Sequence, residues 1–156
     1  MTESTGNSAS RGKESLRLWL RLLSCETVLE QRVRTLFRQH FEVTLPQFDV
    51  LSELERADRP LTMSQLSKEL MVSNGNVTGV IDRLSKNNLV RRVRSREDRR
   101  IQYIELTDEG RREFRLMAKK HEGWIRDLLA ELPLDDMRQL QELLLRTRRA
   151  IAAAGH

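Results

Sequence analysis

From Glu14 to Phe41 the chain runs without a proline or a glycine, while Leu18, Leu22, Cys25, Leu29, Val33 and Leu36 recur along it at intervals of three and four. That spacing predicts one long helix with a single apolar stripe, widened near its start by Leu16, Trp19, Leu20 and Leu23. The stripe is longer than a compact domain requires in a chain of 156 residues, so part of it is expected to meet a second subunit. A matching pattern returns at the far end. Phe114, Met117, His121, Trp124, Ile125, Leu128 and Leu132 form a stripe that stops at Pro133, and Met137, Leu140, Leu144, Thr147 and Ile151 form another in a last helix from Asp135 to Ala152. A symmetric dimer is the expected way to bury such stripes at both ends of a short chain.

Between them the sequence is punctuated differently. Thr44, Pro46 and Gln47 have the spacing of an N-cap, a first-turn proline and a capping box, and Phe48, Leu51 and Leu54 give the short helix that follows an inward face. Ser64 is the expected cap of a second short helix ending near Met71. Ser73 is the expected cap of a third, from Asn74 to Asn87, with Val77, Val80, Ile81 and Leu84 inward. Two short helices joined by a tight break are the ingredients of a helix-turn-helix. The outward surface of the third helix is small and polar, as insertion into a DNA major groove requires. Gly75 and Gly79 lower its propensity by roughly 1 kcal/mol each, which suits a face that something approaches closely. Asn88 is the expected left-handed stop. Val90–Ser95 and Ile101–Leu106 read as paired strands, the charged loop Arg96–Arg100 protrudes between them, and Thr107 caps the next helix, with Asp108 and Glu109 in its first turn.

Charge singles out the same region. The segment Asp82–Arg100 holds eight basic and three acidic side chains and so accounts for the whole formal excess of +5. Seven of the eight are arginines, whose planar fork suits phosphates and guanine edges. One cysteine, Cys25, rules out an internal disulfide framework and fits a reducing, cytoplasmic compartment. Residues 1–13 are rich in Ser, Thr and Gly and read as a disordered tail; no apolar run approaches the roughly 18 residues of a membrane span.

The order of these elements, with Leu61-Thr62-Met63-Ser64-Gln65-Leu66, Val72-Ser73-Asn74-Gly75-Asn76-Val77-Thr78 and Asp98-Arg99-Arg100 before Ile104-Glu105-Leu106-Thr107-Asp108-Glu109-Gly110, resembles the MarR family of bacterial winged-helix transcription regulators. The likeness covers residues 14–152 and is most specific in the Asp-x-Arg wing motif. Asn88 stands where that family mostly has glycine, and Ser67 where it has a small apolar residue. The resemblance implies a mainly α fold with a small β-hairpin wing, a winged helix-turn-helix flanked by long N- and C-terminal dimerisation helices. The implied organisation is a tail at 1–13, a dimerisation helix at 14–42, a DNA-binding domain at 43–107, and C-terminal helices completing the dimerisation domain at 108–156. Ser73, Asn74, Asn76, Thr78 and Arg83 would face bases or phosphates. Asp98 would brace a wing carrying Arg94, Arg96, Arg99 and Arg100, with Arg100 at its tip. The implied partners are double-stranded DNA, a second copy of the chain and a small-molecule effector.

No catalytic triad order, His-Glu-x-x-His, phosphate loop or metal-ligand spacing is visible, so neither an enzyme nor a cofactor or metal is expected. The family resemblance points to effectors such as aromatic acids or other anions. The residues expected to line such a pocket are Arg17, Trp19, Arg21, His40, Phe41, Met117, His121 and Trp124. Other readings are an oligomeric module whose basic hairpin docks on RNA or an acidic protein, and a redox sensor at Cys25; the place of Cys25 on the apolar stripe predicts instead a buried, inert thiol.

Overall fold

The computed structural model describes residues 4–70 and 74–155, with side chains described for 10–70 and 76–155. The chain is organised as α1 (Ser4–His40), α2 (Leu45–Ala57), β1 (Leu61–Thr62), α3 (Met63–Leu70), α4 (Asn74–Lys86), β2 (Val90–Arg94), β3 (Gln102–Leu106), α5 (Asp108–Leu128) and α6 (Leu134–Ala154). It divides into two compact units, Met1–His121 and Glu122–His156, a division that falls inside α5.

In the first unit the core is built from the inward faces of the short helices and the sheet. Phe48, Val50, Leu51 and Leu54 of α2, Leu66 of α3, Val77, Ile81 and Leu84 of α4, and Leu61, Val90 and Ile104 of the strands are all buried. The end of α1 joins them through Val33 and Phe37. The strands form an antiparallel sheet in the order β1-β3-β2, with Leu61 opposite Ile104 and Arg91 opposite Glu105. The two-residue β1 was not legible in the sequence, because a strand so short carries no alternation to read.

Several local signals act as predicted. Thr44 caps α2 in a reciprocal box with Gln47, and Asn88 stops α4 at φ 57°. The Thr107 hydroxyl accepts from Gly110 N–H at 2.9 Å and donates to the Asn88 carbonyl at 2.6 Å, tying the start of α5 to the end of α4. Others differ. Residues 4–13, expected to be a tail, are helical; they contain no proline, and their two glycines cost about 1 kcal/mol each against extension of an already nucleated helix. Residues 1–3 of that expected tail lie outside the described residues. The cap of α3 is Thr62 and not Ser64: Gln65 N–H donates to Thr62 Oγ1 at 3.2 Å, and Thr62 N–H donates to Gln65 Oε1 at 2.9 Å. The strand residue thus satisfies the first turn two residues earlier than expected. α5 ends at Leu128, ahead of Pro133, with Leu132 N–H bonded to the Leu129 carbonyl at 3.0 Å, since a proline disfavours helical geometry in the residue before it.

Much of the apolar stripe stays uncovered in the single chain. Leu16, Leu18, Trp19, Leu20, Leu23 and Val28 of α1 are exposed, and along α6 no residue is buried. Cys25, expected to be buried, is exposed for the same reason: this part of α1 lies beyond the reach of the core.

The junction between α5 and the wing is sterically tight. A Cβ on Gly110 would sit 1.9 Å from the Leu89 carbonyl oxygen, a backbone atom with no freedom to yield. In a free helix, replacing glycine by alanine gains about 1 kcal/mol; here Gly110→Ala is expected to lower stability by more than about 2 kcal/mol. Urea denaturation checks the sign, and an unchanged or higher midpoint would refute the steric account.

Candidate nucleic-acid interface

Burial of Val77, Ile81 and Leu84 turns the opposite side of α4 outward, where Asn76, Thr78, Gly79, Asp82 and Arg83 are exposed. Asn76, Thr78 and Arg83 therefore share the solvent side of this helix, as expected. Ser73 lies outside the described residues, and so does the side chain of Asn74. A Cβ at Gly79 would meet no atom within 4 Å, so the glycine leaves that face open for close approach.

The wing stands beside this helix and is braced from within. Ser95 N–H bonds the Ile101 carbonyl at 3.0 Å, and Ile101 N–H bonds the Asp98 carbonyl at 3.0 Å, closing the loop. The Ser95 hydroxyl accepts from the N–H groups of Glu97 and Asp98 at 3.2 and 3.3 Å. Asp98 in turn grips Arg100: its carboxylate accepts from Arg100 N–H at 3.0 Å, Nε at 3.1 Å and Nη2 at 3.2 Å. The Arg100 side chain and then its backbone N–H hold the Asp98 carboxyl below the usual carboxylate range. Arg100 thus pairs with Asp98, yet its side chain remains 92% exposed.

Two further arginines are used structurally, a role the sequence did not disclose. Arg92 bonds Asp82 at 2.5 Å and links the wing strand to α4, while Arg91 pairs with Glu105 across β2 and β3. Each joins residues far apart in sequence; only the β2–β3 register brings Arg91 opposite Glu105. Arg83, Arg94, Arg96 and Arg99 are exposed and make no ion pair with any described residue. They are the uncommitted positive charge of this face.

The eight residues expected to line an effector pocket are spread over α1, the segment after it and α5. Arg17, Trp19 and Arg21 lie exposed on the early part of α1, with Arg17 bonded to Glu14 at 2.5 Å. His40 is exposed, its Nδ1 at 3.0 Å from the Leu36 carbonyl. Phe41 and His121 join an aromatic cluster: Phe37 lies 5.8 Å from Phe41 and 5.9 Å from His121, and Phe48 lies 5.1 Å from His121. Burial there pushes the His121 pKa down, favouring neutral imidazole. Met117 is buried, and Trp124 belongs to the second unit.

A different cleft, of about 390 Å³, opens among α1, α2, the end of α3 and α4. Glu30 and Arg34, paired with each other, and Asp49 supply its charge; Leu45, Pro46, Val50, Leu70, Val77 and Val80 supply its apolar wall, and Asn76 stands at its edge. The Asp49 residue is exposed overall, but its carboxyl sits against this wall. Loss of hydration, then repulsion from Glu30, raises its pKa to about 6, with attraction to Arg34 opposing and Glu53 adding to the rise. Glu30 and Arg34 pair within α1, and the packing of α2 on that helix brings Asp49 near both.

An exposed polar helix face beside a braced basic hairpin, on this helix order, defines a winged helix-turn-helix DNA-binding regulator. Comparison with known proteins agrees: residues 43–102 match the sequence model of the MarR family. The chain is 30% identical over 120 residues to the uncharacterized HTH-type transcriptional regulator YsmB of Bacillus subtilis, covering 76% of this chain and 80% of that protein. A MarR family transcriptional regulator from Silicibacter pomeroyi superposes with a TM-score of 0.78 at 26% identity, over 90% of this chain and 97% of that one. The PcaV transcriptional regulator of Streptomyces coelicolor, solved with its natural ligand, superposes with a TM-score of 0.69 at 26% identity, over 81% and 91% of the two chains. The chain belongs to the MarR family and is a DNA-binding transcriptional regulator. Its family and relatives are regulators and not enzymes, and the reading as an RNA- or protein-docking module is set aside. Among the described residues no helix is long and apolar enough to cross a membrane.

The raised Asp49 pKa has a checkable consequence for stability. Its ionised form is penalised in the folded state, so the fold gains stability as pH falls through about 6 and stops gaining below the unfolded value of 3.8. Asp49→Asn removes the penalty. It is expected to raise the melting temperature at pH 7.5, with the gain shrinking steadily towards pH 4; a gain that is absent or independent of pH would refute the assignment.

Proposed function

We propose that this regulator acts in the cytoplasm as a homodimeric repressor that binds a pseudo-palindromic operator and is released from it by a small-molecule effector. The observation that carries the DNA half is the pairing of an outward polar α4 with a wing held by the Asp98–Arg100 clamp. Asn76, Thr78 and Arg83, with Ser73 and Asn74, face bases or phosphates in the major groove. Arg94, Arg96, Arg99 and Arg100 reach the flanking minor groove or its phosphates, gaining most where an A·T-rich tract narrows the groove. Support for the dimer comes from the uncovered leucines of α1 and α6. Residues 14–42 and 108–156 form the dimerisation part and 43–107 the DNA-binding part. Support for an effector comes from the cleft beside α4 and from the natural ligand held by PcaV. Release follows if the effector prefers the arrangement in which the two α4 helices no longer match successive grooves.

Two outcomes test this reading. A dimer contacting about six to ten phosphates is expected to lose roughly 10³- to 10⁵-fold in operator affinity between 50 and 200 mM salt, with half-sites about 10 base pairs apart. Fluorescence titration against operator and random duplex checks it, and equal affinity for both would overturn it. Arg100→Ala is expected to weaken operator binding about tenfold or more, on the scale of one arginine contact, while sedimentation still shows a dimer. An unchanged titration removes the wing from the mechanism.

A further inference from the structure

The side of α4 turned away from the core carries a carboxylate where a polyanion docks. Gly75, Gly79, Asp82 and Lys86 recur at intervals of four, three and four, which sets them in one row of the helix. Burial of Val77, Ile81 and Leu84 puts that row opposite the core. Its two glycines bring no side chain, and a Cβ on Gly79 would meet nothing within 4 Å, so the backbone there comes nearest to whatever the helix enters. Asp82 is the first side chain of the row, and it is 52% exposed. Arg92 of β2 donates from Nη2 to Asp82 Oδ1 at 2.5 Å, while Asp82 Oδ2 accepts from no described residue. An arginine held in this way is withheld from phosphates, and the second carboxylate oxygen is left for a donor on a base edge.

We infer that Asp82 is a specificity-determining residue of the DNA face, with Arg92 as its positioning residue: Asp82 Oδ2 accepts from the amino group of a cytosine in the major groove. The inference rests on the reading above that α4 enters that groove. The other exposed side chains of this face, Asn76, Thr78, Arg83 and Lys86, are neutral or basic, and such groups gain from the phosphates of any duplex. A carboxylate gains only where a donor stands opposite it. Elsewhere it loses water against a negative potential and receives nothing in return. Asp82 therefore penalises wrong sequences more than it favours the right one. Neither of the other acids paired with wing arginines, Glu105 and Asp98, stands on α4.

The test uses two probes, a random duplex and a duplex that the wild-type protein selects from a random pool, titrated by fluorescence across a range of salt. Asp82→Ala is expected to bind the random duplex more tightly and to lose about tenfold of its preference for the selected one, the scale of one base contact. Its slope of log affinity against log salt on random DNA should steepen by about one per protomer, because the freed Arg92 takes a phosphate. Asp82→Asn, of the same shape, should show the same steepening, and removing Arg92 as well, in Asp82→Ala with Arg92→Ala, should abolish it. Base substitutions through the selected half-site should reveal one C·G pair that the wild type discriminates and Asp82→Ala does not. Circular dichroism and sedimentation are expected to show folded dimers throughout, since exposed pairs contribute little to stability. An unchanged preference, an unchanged salt slope, or an equal loss of affinity for both duplexes overturns the inference. A wild type that prefers no duplex removes the operator reading and this inference with it; a wild type that does, beside an Asp82→Ala that keeps the same preference, removes this inference alone.

Discussion

The burial of one face of α4 decides the rest of the molecule. Val77, Ile81 and Leu84 are at most 1% exposed, and a helix with three such positions at spacings of four and three has no rotational freedom left. Packing against the core fed by α2, α3 and the sheet sets which side chains the other face presents, to within the fraction of a turn that base-edge recognition demands. Any loosening of that core would blur the outward face before it unfolded the domain.

The wing obeys a related economy of charge. A hairpin crowded with arginines would repel itself and splay if all of them were solvated cations. The structure neutralises a subset locally: Arg92 on Asp82, Arg91 on Glu105 and Arg100 on Asp98. The first of these also links the wing strand to α4. What remains uncompensated, at Arg83, Arg94, Arg96 and Arg99, is the charge available for a polyanion. Exposed pairs of this kind contribute little to stability; their value lies in fixing the direction of long, flexible side chains.

α4 is also a shared wall. Its solvent side carries the proposed DNA contacts, and Val77 and Val80 line the acidic cleft against α1 and α2. A ligand there needs no long relay, because it touches the element whose position matters. The uncovered leucines of α1 and α6 complete this picture, since in the proposed dimer they set the distance between two such helices.

The sequence alone determined the elements and their punctuation. Thr44 with Gln47, Asn88 and Thr107 act within a few residues of themselves, through backbone groups every helix end must satisfy, and so were legible. The outward placement of Asn76, Thr78 and Arg83 followed from period alone. The sequence did not place the α3 cap, because Thr62 and Ser64 both satisfy the local rule and the strand pairing of Thr62 with Tyr103 chose between them. Nor did it show that Asp49 comes near Glu30 and Arg34, or that Phe41 and His121 share an aromatic cluster with Phe37 and Phe48. Those contacts join segments brought together by core packing, and their electrostatics depend on how much water that packing excludes. Local backbone satisfaction and helical periodicity are written in the order of residues; desolvation and long-range charge pairing come into being only once the chain is folded.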